Sequence, residues 1–355
     1  MSERIPVGIL GTTGTVGARL VGLLQHHPWF EIAEVGASER SAGGRLGDLL
    51  AGEIADLSDP VANLEVRTLT GGWSSPLLLS ALPSSVAREI EPELARAGHL
   101  VVSNASTFRQ DPDVPLLIPE LNAGHLALVE RQKERWPGAI VTNPNCVVTG
   151  LATALAPLHE AFGLEKAVVT TFQAISGAGK PGPPAADLVD NVLPFIPGEE
   201  EKVAYEPTKI LGTVEGGALR EAPFRIGVTA TRVNVLHGHL VSVSARFRDA
   251  PEPDEALGAL RAFRGRASDL ELPSSPPSGP IAVTDDPTRP QPRLDRDAHR
   301  GMTVTVGRVR RCEALGLSFL ALAHNLDRGA AGAALLNAEL CRVKGLVDTV
   351  VGKGR

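Results

Sequence analysis

The segment Ile5-Pro6-Val7-Gly8-Ile9-Leu10-Gly11-Thr12-Thr13-Gly14-Thr15-Val16-Gly17-Ala18-Arg19-Leu20-Val21-Gly22-Leu23-Leu24 decides the fold. Residues 5–10 are a short apolar run of the kind that forms a buried strand, and residues 18–24 place apolar side chains at helical spacing. Between them Gly11, Gly14 and Gly17 give G-x-x-G-x-x-G, one residue off the usual G-x-G-x-x-G. Strand, glycine turn and helix open a dinucleotide-binding βαβ unit. A pyrophosphate must approach the backbone closely, which excludes side chains, and the helix N-terminal N–H groups receive its charge. Gly11, Thr13, Gly14, Thr15 and Val16 are the candidate contacts; the flanking strand and helix argue against a plain turn.

Working outward, Glu31 to Ala37 reads as the second strand. NAD-specific sites hold the ribose 2′-hydroxyl with a carboxylate near this strand's end. Here Ser38-Glu39-Arg40-Ser41-Ala42-Gly43-Gly44 follows. Ser38, Arg40 and Ser41 suit a 2′-phosphate, which favours NADP(H) over NAD, with Glu39 expected to point away. Further strands read at 77–83, 99–104 and 139–143, with a helix over 85–97. Such alternation predicts an α/β fold with a Rossmann-type, doubly wound parallel sheet. After residue 146 a helix reads over 147–162. Long strands then read at 167–174, 232–247 and 302–310, as in an α+β domain. Residues 273–292 read as a loop, and an Ala/Leu-rich helix over 329–344 is expected to return to the first domain. The expected division is 1–143 with 325–355 for the cofactor, and 144–324 for catalysis and dimerisation.

A length of 355 residues suits two domains, and 43% hydrophobic with 21% charged residues excludes wholesale disorder. No apolar run approaches the ~18 residues of a membrane span, and no secretory signal pattern is seen, so a cytoplasmic location is expected. A net charge of −6 argues against nucleic acid as a main partner. Three cysteines, Cys146, Cys312 and Cys341, make an odd set without paired spacing, which argues against a disulfide scaffold or a metal site.

Cys146 follows Thr142-Asn143-Pro144-Asn145, between a strand and a helix. The positive end of a helix dipole lowers a thiol pKa; a small buried residue is the equal alternative from local sequence alone. Cys312 and Cys341 lack this setting and are expected to be inert. The acidic run Glu199-Glu200-Glu201 reads as a solvated helix start, and His26-His27 as surface residues.

The motifs taken together resemble aspartate-β-semialdehyde dehydrogenase of the archaeal and fungal branch. The resemblance rests on Gly11–Gly17, Ala37–Gly43, Ser103-Asn104-Ala105-Ser106 with Arg109, and Asn143-Pro144-Asn145-Cys146. It continues through Gln173–Gly179, Glu206 with Lys209, Arg232 with Gly238-His239, Arg289–Arg293, and His324-Asn325 with Arg328–Gly332. These blocks run in order over nearly the whole chain. The family reduces β-aspartyl phosphate with NADPH, releasing phosphate, in the route to lysine, threonine and methionine.

The resemblance implies Cys146 as nucleophile, His239 as acid/base and Gln173 as the residue that orients the thioester. It implies Arg232 with Glu206 as the clamp on the amino-acid end, Arg109 and Lys209 as the phosphate site, and Asn104 and Asn145 as further substrate contacts. Ser84, Ser176, Gly177 and Asn325 are implied on the cofactor side. Backbone N–H groups at the cysteine helix start are candidate oxyanion donors. A homodimer or homotetramer is implied.

One geometric condition follows. Arg232 and His239 are seven residues apart, so an unbroken strand would send them to opposite faces. A shared site demands a break between Val235 and His239, with Gly238 the natural place. Val147 and Val148 depart from the family's usual Ser or Thr, which leaves a related acyl phosphate or an acyl-CoA such as malonyl-CoA as the alternative substrate. An inactive, cofactor-binding regulator would lack the cysteine, histidine or arginine, and all three are present. A Tyr205-x-x-x-Lys209 pair, as in sugar oxidoreductases, lacks the usual preceding strand.

Overall fold

Parallel strands buried on both faces require unbroken apolar runs, and Leu77–Ser80, Leu100–Ser103 and Ala139–Thr142 are buried along their whole length. The computed structural model describes residues 4–54 and 56–347. Its first sheet contains β1 (Ile5–Leu10), β2 (Phe30–Ala37), β3 (Val66–Thr68), β4 (Leu77–Ser80), β5 (Leu100–Ser103) and β6 (Ala139–Thr142). The order is β3-β2-β1-β4-β5-β6 and every pairing is parallel. Strand order reverses between β1 and β4, where doubly wound sheets open a crevice at the strands' carboxyl ends. Helices α1 (Thr15–Leu24) and α2 (Ser84–Arg96) follow β1 and β4.

The long helix α3 (Cys146–Phe162) leads into the second unit. There β7 (Leu164–Gln173), helix α4 (Glu199–Ile210), a short hairpin β8 (Thr213–Glu215) and β9 (Ala218–Arg220), β10 (Arg225–Arg232) and β11 (His239–Phe247) succeed one another. Helix α5 (Pro253–Ala262), β12 (Ile281–Thr284), β13 (Val304–Cys312) and β14 (Gly316–Ala323) complete it. The mixed sheet runs β10-β7-β11-β14-β13-β12. Its inner residues Val169, Val241, Val243 and Phe319 share a core with Val147, Val148, Leu151 and Leu155 of α3. The alternate residues point away, and Val168 on that outer face is 57% exposed.

The single strand expected over 232–247 is two strands, β10 and β11, and the chain leaves the sheet from 233 to 238. Gly238 carries φ +97°, a conformation that side-chain-bearing residues avoid. Within the expected loop 273–292 lies β12, too short to stand out beside the prolines. His27 is buried rather than surface-lying. Its ring stacks on Phe30, and Nε2 lies 2.9 Å from Glu339.

The last helix, α6 (Gly332–Val343), follows a π-helical turn over Asp327–Ala331. Leu335, Leu336 and Leu340 of α6 pack with Val7, Leu79 and Val102 under the first sheet. Residues 1–3, 55 and 348–355 lie outside the described residues. Within the π-turn, Arg328 is 1% exposed. It donates to Glu120 Oε1 at 2.6 Å and to Thr153 Oγ1 of α3 at 3.4 Å. Removing one member of a buried ion pair strands the other's charge, at about 3–5 kcal/mol. Glu120→Ala should therefore lose that much stability in urea unfolding, while Glu120→Ala with Arg328→Met recovers a large part. A single-variant loss below about 1 kcal/mol would show that the pair does not brace α3.

Candidate active site

The site is assembled at the start of α3. Asn145 is the N-cap: its Oδ1 accepts the Val147 N–H at 2.9 Å. Its own N–H donates to Glu206 Oε2 at 2.6 Å, and its Nδ2 donates to Glu199 at 2.9–3.0 Å. Asn143 anchors the approach to this turn. Its Nδ2 donates to Asn104 Oδ1 at 2.7 Å and to the Ala330 carbonyl at 3.1 Å. Cys146 is thereby delivered with Sγ 3.1 Å from His239 Nε2.

The break before β11 aims His239. The Gly238 N–H donates to Asn325 Oδ1 at 2.9 Å, and Asn325 Nδ2 reaches Ser176 Oγ at 2.8 Å. Arg232 Nη1 donates to the Ala174 carbonyl at 2.8 Å, and the Ala174 N–H donates to His239 Nδ1 at 2.9 Å. Gly177 backs onto both side chains: a Cβ there would lie 2.8 Å from the His239 ring and 3.0 Å from the Arg232 guanidinium. The parity condition is thus met, and residues on two strands converge.

Because Nδ1 is an acceptor, the neutral His239 ring carries its proton on Nε2, facing the sulfur; this tautomer follows from the hydrogen-bond pattern. Burial, then Arg232, pushes the imidazole down to about 3. Burial, then Glu199, pushes the Cys146 thiol up to about 12, against Arg109 and Arg232. The expected lowering of the thiol by the helix dipole is overridden. The resting pair is a neutral thiol and a neutral imidazole. The Val147 N–H, a candidate oxyanion donor, is taken by Asn145, and that of Asn145 by Glu206.

Three further expectations change. Glu206 does not face Arg232; it pairs with Arg109, Nη1 to Oε1 at 3.0 Å. Burial raises the Glu206 carboxyl even so, against the pull of Arg109. Lys209 is fully buried and its Nζ donates to three carbonyls, those of Arg109 and Asp111 at 2.7 Å and Val114 at 2.9 Å. All three ammonium protons are committed, so Lys209 holds the loop that carries Arg109 rather than meeting a ligand. The same commitment removes the Tyr205–Lys209 alternative. Val147 and Val148 are 1% and 0% exposed in the second core, so their side chains do not line the site.

Glu199 is the residue that the sequence reading missed. It is 9% exposed and bonds Asn145, Gln173 Nε2 at 3.1 Å and Lys202 Nζ at 3.0 Å. A signal existed: Glu199, Val203, Glu206 and Ile210 are buried at spacings of four, three and four along α4, so both carboxylates ride the inward stripe.

At the other end, Gly11 has φ +84°, and a Cβ on Gly17 would lie 2.0 Å from the Gly11 carbonyl oxygen. No side-chain hydrogen bond caps α1 among the described residues, which leaves its start open beside Thr13, Gly14, Thr15 and Val16. Ser38 and Arg40 are exposed and Ser41 half-buried on tight turns after β2, with Glu39 exposed beside them. Ser84 Oγ lies 2.9 Å from Ser106 Oγ, closing the rim between β4 and β5.

Residues 6–129 match the model of the semialdehyde dehydrogenase NAD binding domain, and 155–328 that of the semialdehyde dehydrogenase dimerisation domain. An aspartate-semialdehyde dehydrogenase of Archaeoglobus fulgidus is 43% identical over 343 residues, covering 95% of this chain and 98% of that protein. The chain belongs to the aspartate-semialdehyde dehydrogenase family. The solved aspartate semialdehyde dehydrogenase with NADP from Candida albicans superposes with a TM-score of 0.88 at 36% identity, over 97% of this chain and all of that one. A malonyl CoA reductase (NADP) of Metallosphaera sedula is 35% identical over 98% of this chain and 99% of that protein.

For this family member the neutral resting pair has two measurable consequences. Iodoacetamide labelling of Cys146 in the ligand-free protein should still be accelerating above about pH 9, past the ordinary thiol midpoint of about 8.5. A plateau below that midpoint would mean a preformed thiolate. In ¹⁵N NMR, His239 should show the Nε2–H form with Nδ1 unprotonated down to about pH 5; an Nδ1–H signal would refute the tautomer.

Proposed function

We propose that the chain catalyses the NADPH-dependent reductive dephosphorylation of L-aspartyl 4-phosphate to L-aspartate 4-semialdehyde, and its reverse, through a Cys146 thioacyl intermediate. The observation that carries this reading is Cys146 Sγ at 3.1 Å from His239 Nε2, flanked by the buried arginines Arg109 and Arg232. An acyl phosphate has a good leaving group, and a soft sulfur nucleophile divides its reduction into acyl transfer and hydride transfer.

In the first step the Cys146 sulfur bonds to the acyl carbon. The carbon–oxygen bond to phosphate then breaks, and the thiol proton departs with the phosphate. Arg109 suits this leaving group. Its Nη1 and Nη2 are held by Glu206 and the Asn104 carbonyl, while its Nε is buried without a partner among the described residues. An unpaired buried donor costs about 1–3 kcal/mol, which a phosphate oxygen would offset. Arg232 keeps one guanidinium nitrogen on Ala174 and presents the remainder to a substrate carboxylate. With the Asn145 and Val147 N–H groups committed, the Cys146 N–H and the His239 Nε2–H are the donors we assign to the oxyanion.

The residues of the first sheet fit NADP(H). The uncapped α1 start and the close glycine loop suit the pyrophosphate, Ser38, Arg40 and Ser41 the 2′-phosphate, and Ser176, Gly177 and Asn325 the nicotinamide end. Bound NADPH supplies the hydride that reduces the thioester carbonyl. The His239 Nε2–H hydrogen-bonds the oxyanion as this happens and keeps its proton, and Gln173 keeps the acyl group oriented. Collapse of the tetrahedral oxyanion releases the aldehyde and expels the Cys146 thiolate, which takes up a proton from solvent. We assign a dimer to the outer face of the second sheet, where Val168, Thr170, Phe172, Leu240 and Ser242 lie together.

The deciding assay follows NADP reduction with aspartate semialdehyde in the presence of phosphate, CoA or neither. Activity should require phosphate, Cys146→Ser should lose at least about 10³-fold in kcat, and Arg40→Ala should raise the KM for NADP more than that for NAD. Turnover with CoA alone would transfer the chain to acyl-CoA reduction.

A further inference from the structure

Three carboxylates open α4 and take different roles. Glu201 is exposed, and Glu200 Oε1 accepts the Ala230 N–H of β10 at 3.0 Å. Glu199 turns inward, onto donors from two other elements: Asn145 Nδ2 at the start of α3 and Gln173 Nε2 at the end of β7. Lys202, one turn along α4, adds its ammonium. Burial opposes the charge, but Lys202 and the hydrogen bonds from Asn145 and Gln173 hold the Glu199 carboxyl below its usual value. The group is therefore an ionised carboxylate beside the nucleophile.

We propose that Glu199 is a positioning residue for acyl transfer, joining the N-cap of the cysteine helix to Gln173 through one carboxylate. This rests on the reading of Cys146 as the acyl acceptor. Asn145 has a single amide group, with its oxygen spent on Val147. Its nitrogen is anchored from outside the helix by Glu199, as the Asn145 backbone N–H is by Glu206. The same oxygen, Oε2, receives Gln173. A shift of the carboxylate therefore moves the helix start and the thioester-orienting amide together, and near-attack geometry tolerates little displacement. A neutral glutamine could still accept from both amides with its single oxygen, at the cost of its ion pair with Lys202. Alanine would release both.

The charge has its own signature. His239 from β11 contacts the sulfur, and the other groups that act on the thiol are Glu199 from α4, Arg109 from the loop after β5, Arg232 from β10 and the Val147 N–H of α3. Glu199 is the one anion among them with a resolved effect on the thiol, and it disfavours the thiolate. A residue that merely supported the fold would leave the titration of Cys146 unmoved.

The test compares wild type, Glu199→Gln and Glu199→Ala in two measurements. The first is the pH profile of Cys146 alkylation by iodoacetamide without substrate. The second is steady-state kinetics with aspartate semialdehyde, phosphate and NADP. In both variants the alkylation profile should move to lower pH. In Glu199→Ala, kcat should fall about 10–100-fold with KM within about threefold, the pattern of a lost transition-state alignment. Glu199→Gln should recover a substantial part of kcat. An unmoved alkylation profile, a rise in KM at constant kcat, or a glutamine variant no better than alanine would each overturn the proposal. If Glu199→Ala fails to fold, Glu199→Gln alone still carries the profile and the split between kcat and KM. Wild-type protein without phosphate-dependent turnover would instead refute the functional reading and leave the alkylation arm standing.

Discussion

Asn145 is the constraint on which the site depends. Its N–H, its amide nitrogen and its amide oxygen are all engaged, by Glu206, Glu199 and the Val147 N–H respectively. Each bond answers a different need. The oxygen satisfies one of the orphan donors of a helix start. The two donors help to hold two buried carboxylates that would otherwise be costly to bury. Those carboxylates engage in turn Arg109, Gln173 and Lys202. The position of Cys146 is therefore fixed from three sides before any ligand arrives, and the charges around it are held by partners rather than by solvent.

The second requirement is that the cofactor unit and the nucleophile keep a common register. The π-turn before α6 does this work. Arg19 of α1 donates to both oxygens of Asp327, at 2.6 and 2.8 Å. Two residues on, Gly329 leaves no room for a side chain: a Cβ would stand 2.7 Å from that of Cys146. Arg328 between them reaches Glu120 and α3. One turn of backbone thus touches the helix that follows the dinucleotide loop, the segment between β5 and β6, and the helix that carries the thiol.

The fold was legible because its signals are local. Buried parallel strands announce themselves as apolar runs, and the glycine loop as a turn no other residue tolerates. Part of the site was legible for a subtler reason. Strand parity is rigid, so Arg232 and His239 could meet only across a break, and Gly238 marked it. The charged groups were harder. Lys209 looks from sequence like a cation awaiting an anion, but the loop that supplies its three carbonyl partners, residues 109–114, is about a hundred positions away. Glu199 looked like one of three solvated acids because composition dominated the reading; the helical phase it shares with Glu206 held the information. Partner choice for a buried charge is a tertiary property, and a sequence shows the charge without the partner.

The electrostatics explain how an acidic protein can attract an anionic substrate without a permanently reactive thiolate. Net charge is −6, yet the groups nearest the sulfur include two buried arginines. Burial, then Glu199, favours the protonated thiol, which limits alkylation and oxidation, since both proceed through the thiolate. Nor can His239 easily become an imidazolium, because its Nδ1 is occupied by the Ala174 N–H. On the proposed reaction, activation would then come from the substrate itself. A phosphate leaving group would bring its own acceptor for the thiol proton, and its charge would engage the arginines in the same event. The neutrality of Cys146 and His239 would in that way couple the chemistry to the presence of the correct leaving group.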